Sequence, residues 1–320
     1  MTNQDTLIRQ HQQPPVMPEL TDANILVTGG AGFVGSHLVD ALAEENTVTV
    51  VDDLSSGSQT HIHEDAKFVH ADITAPDVLA ELTNSVDVVF HEAAVVSVTE
   101  SIDNPPTSHE VNTDATLTLL ELARERNFRV VLASSAAIYG HPQTLPISES
   151  HSKNPTSPYG LDKLTIDHYA RIYHDLYDVE TVALRYFNIY GPRQSGEYAG
   201  VISIFRDQAL AGDDLTIEGD GSQTRDFVHI DDVVDANIAA ATTDYVGEAY
   251  NIGTGHETRI DELTETIIKV ADTSASVTHV TPRAGDIEAS VADISKAREK
   301  LGFTPSVSLN KGIRNLLTET

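Results

Sequence analysis

NILVTGGAGFVGS (residues 24–36) decides the fold. Asn24 to Thr28 is a short, mostly apolar run, the pattern of a parallel strand buried on both faces. Gly30, Gly32 and Gly35 then fit G-x-G-x-x-G, and Gly29, Gly32 and Gly35 form an overlapping G-x-x-G-x-x-G. An amphipathic stretch, Ser36 to Glu45, predicts a helix directly after the glycines. Glycines between a strand and a helix let the backbone approach a pyrophosphate, which rests on the helix N-terminus. A bare Gly-rich turn would look the same in isolation. Here a second strand, Thr47 to Val51, ends at Asp52, 20 residues beyond Gly32. A carboxylate at that spacing accepts from the adenosine ribose hydroxyls of a dinucleotide. It also repels a 2′-phosphate, and residues 46–60 contain no Arg or Lys to receive one, so the expected cofactor is NAD rather than NADP.

Working outward, Lys67 to His70 leads into Asp72-Ile73, and Val86 to Phe90 into His91-Glu92-Ala93-Ala94. A helical pattern from about Thr107 to Arg126 precedes a strand at Arg129 to Ala133. This alternation predicts an α/β fold: a Rossmann-type, doubly wound parallel sheet. Ser135 follows the last of these strands, at the end of a sheet of this kind where ligands bind. Tyr159 and Lys163, in SPYGLDK, are four residues apart; a helix over residues 158–177 puts both on one face. A phenol beside a fixed ammonium is expected to ionise more readily and to serve as a general base near neutral pH. On its own such a pair is usually a packed ring with a solvated charge. The dinucleotide site upstream raises it to a catalytic candidate.

Composition narrows the setting. The chain of 320 residues carries 49 acidic and 20 basic residues, a net charge of −29, and only seven of the bases are Lys. Phosphate repels such a surface, which argues against nucleic acid as a partner. There is no Cys, hence no disulfide frame or thiolate metal site, and no His pattern of helical metal ligands, so no metal is expected. No apolar run reaches the ~18 residues of a membrane span, and the N-terminal stretch lacks the apolar core of a signal peptide. A cytoplasmic protein with no membrane partner is expected.

Taken together, TGGAGFVGSH, VDDLSSG, ADI, VFHEAA, SSAAIYG, SPYGLDK, RYFNIYGPRQ, QTRDFVHIDD, YNIG and PRAGD resemble the extended short-chain dehydrogenase/reductases. Within them the chain looks most like nucleotide-sugar 4-epimerases of the UDP-glucose 4-epimerase type, over roughly residues 23–317. The resemblance implies that Gly29, Gly32, Phe33, Val34 and Gly35 hold the NAD pyrophosphate and Asp52 the ribose. Asp72 and Ile73 flank the adenine. Ala93 and Ala94 pass beneath the cofactor, supported by Asn112. Ser135, Tyr159 and Lys163 form the catalytic set. Tyr186 and Asn188 border nicotinamide and sugar diphosphate; Val201, Arg225, Arg283, Asp286 and Ser290 complete a UDP-sugar site. A surface ion pair is the bland alternative for either Arg.

Two departures sharpen this. The 4,6-dehydratases of the superfamily carry Asp-Glu after the catalytic Ser/Thr, and UDP-glucuronate decarboxylases keep the Glu; here those positions are Ala136 and Ala137. Epimerisation at C4 of UDP-glucose/UDP-galactose is therefore expected. Ser290 stands where glucose/galactose-restricted members carry a bulky Tyr, which leaves room for the N-acetylhexosamine pair. Val96 replaces a Lys found in some epimerases. Still open are a UDP-glucuronate 4-epimerase, decarboxylase or 4,6-dehydratase, and a non-catalytic NAD-binding scaffold.

The expected organisation is a flexible tail (1–22) and an NAD-binding domain (23–180) that also receives segments near 181–195 and 228–255. A mainly substrate-binding lobe (196–320) completes it. His61-Ile62-His63 reads as an exposed loop. The helices near 107–126 and 157–177 resemble the superfamily's dimer-forming pair, so a homodimer is expected. The dispersed acidic charge suggests a halophilic protein. Self-repulsion destabilises such a chain at low salt and is largely screened near 1 M, where the Debye length is about 3 Å. Its melting temperature should climb steadily as KCl is raised from millimolar to molar; a salt-independent melting curve would contradict the halophilic reading.

Overall fold

The computed structural model describes residues 20–194, 200–282 and 286–318. The first half runs β1 (Asn24–Thr28), α1 (Phe33–Leu42), β2 (Thr47–Asp52), β3 (Lys67–His70), α2 (Val78–Leu82), β4 (Val88–His91), α3 (Val98–Asp103), α4 (Pro105–His109), α5 (Ala115–Arg126) and β5 (Arg129–Ser135). The chain continues with α6 (Pro158–Tyr177), β6 (Thr181–Tyr186), β7 (Asn188–Tyr190), α7 (Val201–Ala211), β8 (Leu215–Glu218), β9 (Thr224–Arg225), β10 (Phe227–His229) and α8 (Ile230–Thr242). Last come β11 (Glu248–Ile252), β12 (Thr258–Arg259), α9 (Ile260–Ala271), β13 (Val277–Val280), α10 (Ser295–Leu301) and α11 (Leu309–Thr318).

A seven-stranded sheet, order β11-β6-β5-β4-β1-β2-β3, forms the centre, and every pairing in it is parallel. Its apolar strands are buried on both sides because helices cover both faces. α1 and α8 pack with Val27, Val50, Val131 and Leu184 on one face. Residues of α5 and α6 pack with Leu26, Val89, Val130 and Leu132 on the other. Strand order reverses between β1 and β4, and ligands of such sheets lie at that crevice, beyond the strands' carboxyl ends. A separate core of α7, α9, α11 and the β8–β13 pair includes Phe205, Leu215, Ile217, Leu263 and Ile313. No helix among the described residues is long and apolar enough to cross a membrane.

Several sequence expectations shift. The first helix starts at Phe33, three residues early, because Gly32 already serves as its N-cap. The stretch 107–126 is not one regular α-helix: α4 and α5 are joined by a π turn at Glu110–Asp114. His61 and His63 are half-buried around a 3₁₀ turn rather than exposed. Of the anticipated loose tail, residues 1–19 lie outside the described residues. Leu20 packs against the core, and the Asp22 amide donates to Glu45 O at 2.9 Å, so residues 20–22 are tied down.

One polar knot fixes the long helix α6. Ser157 caps it, accepting from the Gly160 amide at 3.1 Å, and Pro158 occupies the first turn. Further along the same face, Asp167 accepts two bonds from Arg185 of β6, at 2.8 Å each, with side-chain exposures of 0% and 1%. Ser134 donates to Asp167 at 3.1 Å, and Arg185 also donates to the Tyr139 hydroxyl at 2.9 Å. Tyr139 in turn donates to Asn251 of β11 at 2.6 Å. Burial alone would push the Asp167 carboxyl up, but Arg185 holds it below the ordinary value. The pair's contribution is therefore present above about pH 4 and is lost as pH falls through the folded value. Asp167→Asn leaves a buried guanidinium unpaired and should cost about 3–5 kcal/mol in denaturant unfolding. A loss below about 1 kcal/mol, the level of an exposed pair, would show that the knot is dispensable.

Candidate active site

The site lies along the carboxyl ends of β1, β4, β5 and β6. In the β1–α1 turn, Gly29 adopts φ +68°, and a Cβ there would meet Ala93 N at 2.6 Å. A Cβ on Gly35 would sit 2.2 Å from Gly29 O, so only glycine lets α1 come this close to the strand. Gly32 caps α1 with no side chain across its first amides, and the first turn, beginning Phe33-Val34-Gly35, holds no acid. Asp52, buried at the end of β2, accepts from Ala31 N at 3.0 Å and Leu54 N at 2.8 Å. These bonds aim the carboxylate beside the glycine turn and leave lone pairs for another donor; burial raises its pKa. Asp72 is exposed and accepts from Thr74 N and Oγ1, while neighbouring Ile73 is buried.

A chain of hydrogen bonds sets the loop after β4. The Thr116 hydroxyl donates to Asn112 O at 2.7 Å, so it accepts from His91 Nε2, 2.9 Å away. His91 Nδ1 then accepts from Thr28 Oγ1 at 2.8 Å, and Thr28 accepts from Ala93 N at 3.2 Å. This directional chain needs a neutral imidazole; burial, with the Lys163 charge, pushes His91 down to about 3. Asn112 grips the loop from the other side, accepting from Val95 N at 2.8 Å and donating to Val95 O at 3.0 Å. Ala93 and Ala94, half-buried, are thereby held across the end of β1.

Ser135 ends β5, and its hydroxyl accepts from Ala137 N at 3.1 Å. Its hydroxyl also favours the ionised form of the Tyr159 phenol. The Tyr159 amide donates to Ser101 Oγ of α3 at 3.1 Å, fixing the first turn of α6. Lys163 is buried and donates to Ala133 O at 2.7 Å, with its Nζ 6.0 Å from the Tyr159 ring centre. The expected depression of the Tyr159 pKa is not what this arrangement produces. Burial raises it, Glu92 raises it further, and the Ser135 hydroxyl offsets only part. Lys163 is itself lowered by burial, while the Glu92 and Asp162 charges pull it back up. Desolvation is the largest influence on Tyr159.

Toward the second lobe, the Tyr186 hydroxyl donates to Glu92 Oε1 at 3.0 Å and accepts from Asn237 Nδ2 at 2.8 Å. Asn188 is exposed, its amide donating to Asp226 O at 3.0 Å. Val201 opens α7. Arg225 and Asp286 do come together, but with each other: Nη2 donates to Oδ1 at 2.5 Å, with side-chain exposures of 12% and 37%. The ion-pair alternative for Arg225 is what the structure shows. Arg283 lies outside the described residues. Ser290 is buried beside this pair, its amide donating to Thr224 O at 3.2 Å.

Sequence reasoning passed over three groups. Glu92 was visible as a carboxylate directly after a buried strand. Asp167 was visible as an acid one turn beyond Lys163. Asp226 accepts from Thr254 N and Oγ1, Gly255 N and Ala292 N, drawing distant segments around Arg225. Nothing in its neighbourhood in sequence signals that role.

A dinucleotide cradle beside a Ser-Tyr-Lys cluster, on adjacent strand ends, defines a nicotinamide-dependent enzyme of Rossmann type. The chain belongs to the NAD dependent epimerase/dehydratase family, matching it over residues 25–253. It is 43% identical over 299 residues to a putative UDP-glucose 4-epimerase of Methanocaldococcus jannaschii, covering 92% of this chain and 97% of that protein. It resembles the UDP-N-acetylglucosamine 4-epimerase from Methanobrevibacter ruminantium M1 in complex with UDP-N-acetylmuramic acid. There the TM-score is 0.90 and the identity 37%, covering 93% of this chain and 98% of the other. A UDP-glucuronic acid 4-epimerase from Bacillus cereus, in complex with UDP-glucuronic acid and NAD, aligns with TM-score 0.85 and 32% identity, covering 92% and 98%. NAD is the cofactor, and the residues present fit it: a tight turn that only glycines at 29 and 35 can make, a helix N-terminus with no side chain over its first amides and a fixed carboxylate at Asp52.

Proposed function

We propose that this enzyme interconverts UDP-hexoses that differ at C4, with UDP-glucose and UDP-galactose as one substrate pair. NAD supplies a reversible hydride acceptor when bound. In this reading Gly29, Gly32 and Gly35 admit the pyrophosphate, with Phe33 and Val34 opening the helix that it rests on. Asp52 binds the ribose, Asp72 and Ile73 flank the adenine, and Ala93, Ala94 and Asn112 support the cofactor. Tyr159 takes the proton from the sugar 4-OH as the C4–H hydride leaves, with Ser135 sharing that proton and Lys163 favouring the phenolate. Beside a cationic cofactor ring Tyr159 would give up its proton more readily than its burial alone allows. The keto sugar turns over, the hydride returns to its other face, and Tyr159 gives the proton back. Arg225 and Arg283 clamp the diphosphate by bidentate bonds, which requires Arg225 to release Asp286 for the uridine ribose. Tyr186, Asn188 and Val201 line the remainder.

The observation that carries the choice of reaction is Ala136-Ala137 in the turn after Ser135. Neither methyl group can move a proton, so the site is equipped for transfer at C4 and lacks at this turn the acid that dehydration or decarboxylation uses. Ser290, small and buried beside Arg225, favours acceptance of the N-acetylhexosamine pair as well. The cysteine-free composition and two soluble nucleotide ligands support a cytoplasmic setting. A homodimer through α5 and α6 is supported by uncovered apolar side chains on α6: Leu161 and Leu176 are 56% and 66% exposed, and Ile172 and Tyr177 join them.

Purified protein given UDP-glucose or UDP-N-acetylglucosamine in molar salt should yield the C4 epimer of each. Ser290→Tyr should cut turnover of the acetamido sugar about tenfold or more, the order expected of a steric misfit in a tight pocket, while sparing UDP-glucose. A 4-keto-6-deoxy sugar from either substrate, or carbon dioxide released from UDP-glucuronate in a parallel assay, would refute the reaction, and equal losses on both hexose substrates would refute the role of Ser290. Light scattering in molar salt should report twice the chain mass of 34.6 kDa; a single chain mass would refute the dimer.

A further inference from the structure

Glu92 is a carboxylate that the reaction as described does not use. It follows β4 directly, beside Ala93 and opposite the end of β5, which separates it from β6. Its Oε1 accepts from the Tyr186 hydroxyl at 3.0 Å. That hydroxyl is oriented by Asn237 of α8, whose Nδ2 donates to it at 2.8 Å and to Val233 O at 2.9 Å. The groups that feel its charge are Tyr186 on β6 and Tyr159 and Lys163 on α6. Burial raises the Glu92 pKa to about 7, against the Tyr186 bond and the Lys163 charge, so the carboxylate form prevails above that pH. A carboxylate is thus built into the reacting end of the site, held by a hydroxyl that has a donor of its own.

Hydride transfer requires the nicotinamide C4 and the sugar C4 to meet beside the Tyr159 hydroxyl. A charge felt by Tyr159 and Lys163 is felt by the nicotinamide ring too. The oxidised ring is a cation and the reduced ring is neutral, so a nearby carboxylate favours the oxidised form. Resting on the epimerase reading, we propose that Glu92 is a positioning charge that holds the bound cofactor toward NAD. It biases the reduced cofactor to return its hydride to the keto sugar before that sugar leaves. The balance is closed: the hydride taken from C4 returns to C4, and the proton held by Tyr159 returns to O4. No external oxidant is needed.

The test is a competition that requires no sugar. Wild type and Glu92→Gln are equilibrated with an excess of NAD and NADH at a fixed ratio. Free nucleotide is removed, the protein is denatured, and the released nucleotides are quantified. Glu92→Gln should move the bound ratio toward NADH by about tenfold, the scale of one unit charge at short range in a partly solvated site. Glu92→Asp, which keeps the charge, should stay close to wild type. A Glu92→Gln ratio equal to wild type overturns the proposal. If Glu92→Gln binds no nucleotide, Tyr186→Phe takes its place. Removing the donor to Glu92 should shift the ratio the same way by a smaller factor, and an unchanged ratio there overturns the proposal equally. Assay of wild type on UDP-sugars reports separately on the epimerase reading, since the nucleotide ratio does not depend on which sugar reacts.

Discussion

The buried bond pair between Asp167 and Arg185 is the constraint on which the site depends. In the proposed reaction Tyr159 and Lys163 act only if α6 is held at one height and one rotation against the sheet. Capping by Ser157 fixes where the helix begins, and the apolar face of α6 fixes which side it buries. Neither prevents a slide along β5 and β6. A two-point bond from a guanidinium with almost no solvent exposure does, because any slide strands a charge inside the protein. Through Tyr139 and Asn251 the same knot reaches β11, so the turn that carries Ser135, Ala136 and Ala137 is referenced to the sheet from two sides.

Charge within the site is balanced more closely than the outer surface suggests. A chain of net charge −29 places one cation, Lys163, among Tyr159, Tyr186 and Glu92. Each of these groups is pushed toward its neutral form by burial. His91 is kept neutral by the same force, which lets it carry a directional hydrogen bond from the π turn of residues 110–114 to the glycine turn. Burial therefore works against ionisation throughout this site. Its protonation pattern is open to resetting by a cationic nicotinamide and an anionic sugar nucleotide.

Much of this was legible in the sequence, for a definable reason. β1, β3 and α6 fall on the spans that the sequence pattern predicts, because each is a local pattern read out by one environment. The glycine turn, Asp52 and the Tyr159/Lys163 pair are motifs of fixed spacing on one or two elements. What escaped was non-local or energetic. The partners of Asp167 and Asp226 lie up to 66 residues away in sequence, and no spacing rule connects them. The direction of the Tyr159 shift depended on its burial and on Glu92, which only the packed structure brings to it. The π turn beneath Asn112 resembles ordinary helix in any periodicity. Arg225 and Asp286 were each identified, but their pairing with one another required coordinates.

The central claim is that one hydride leaves and re-enters the same carbon within one binding event. UDP-glucose deuterated at C4, incubated with the purified enzyme in ordinary water, tests this directly. Mass spectrometry and proton NMR of the epimeric product should find the deuterium retained at C4, with no exchange into solvent. Loss of the label to water, or its transfer into a pool of added unlabelled NAD, would contradict the account.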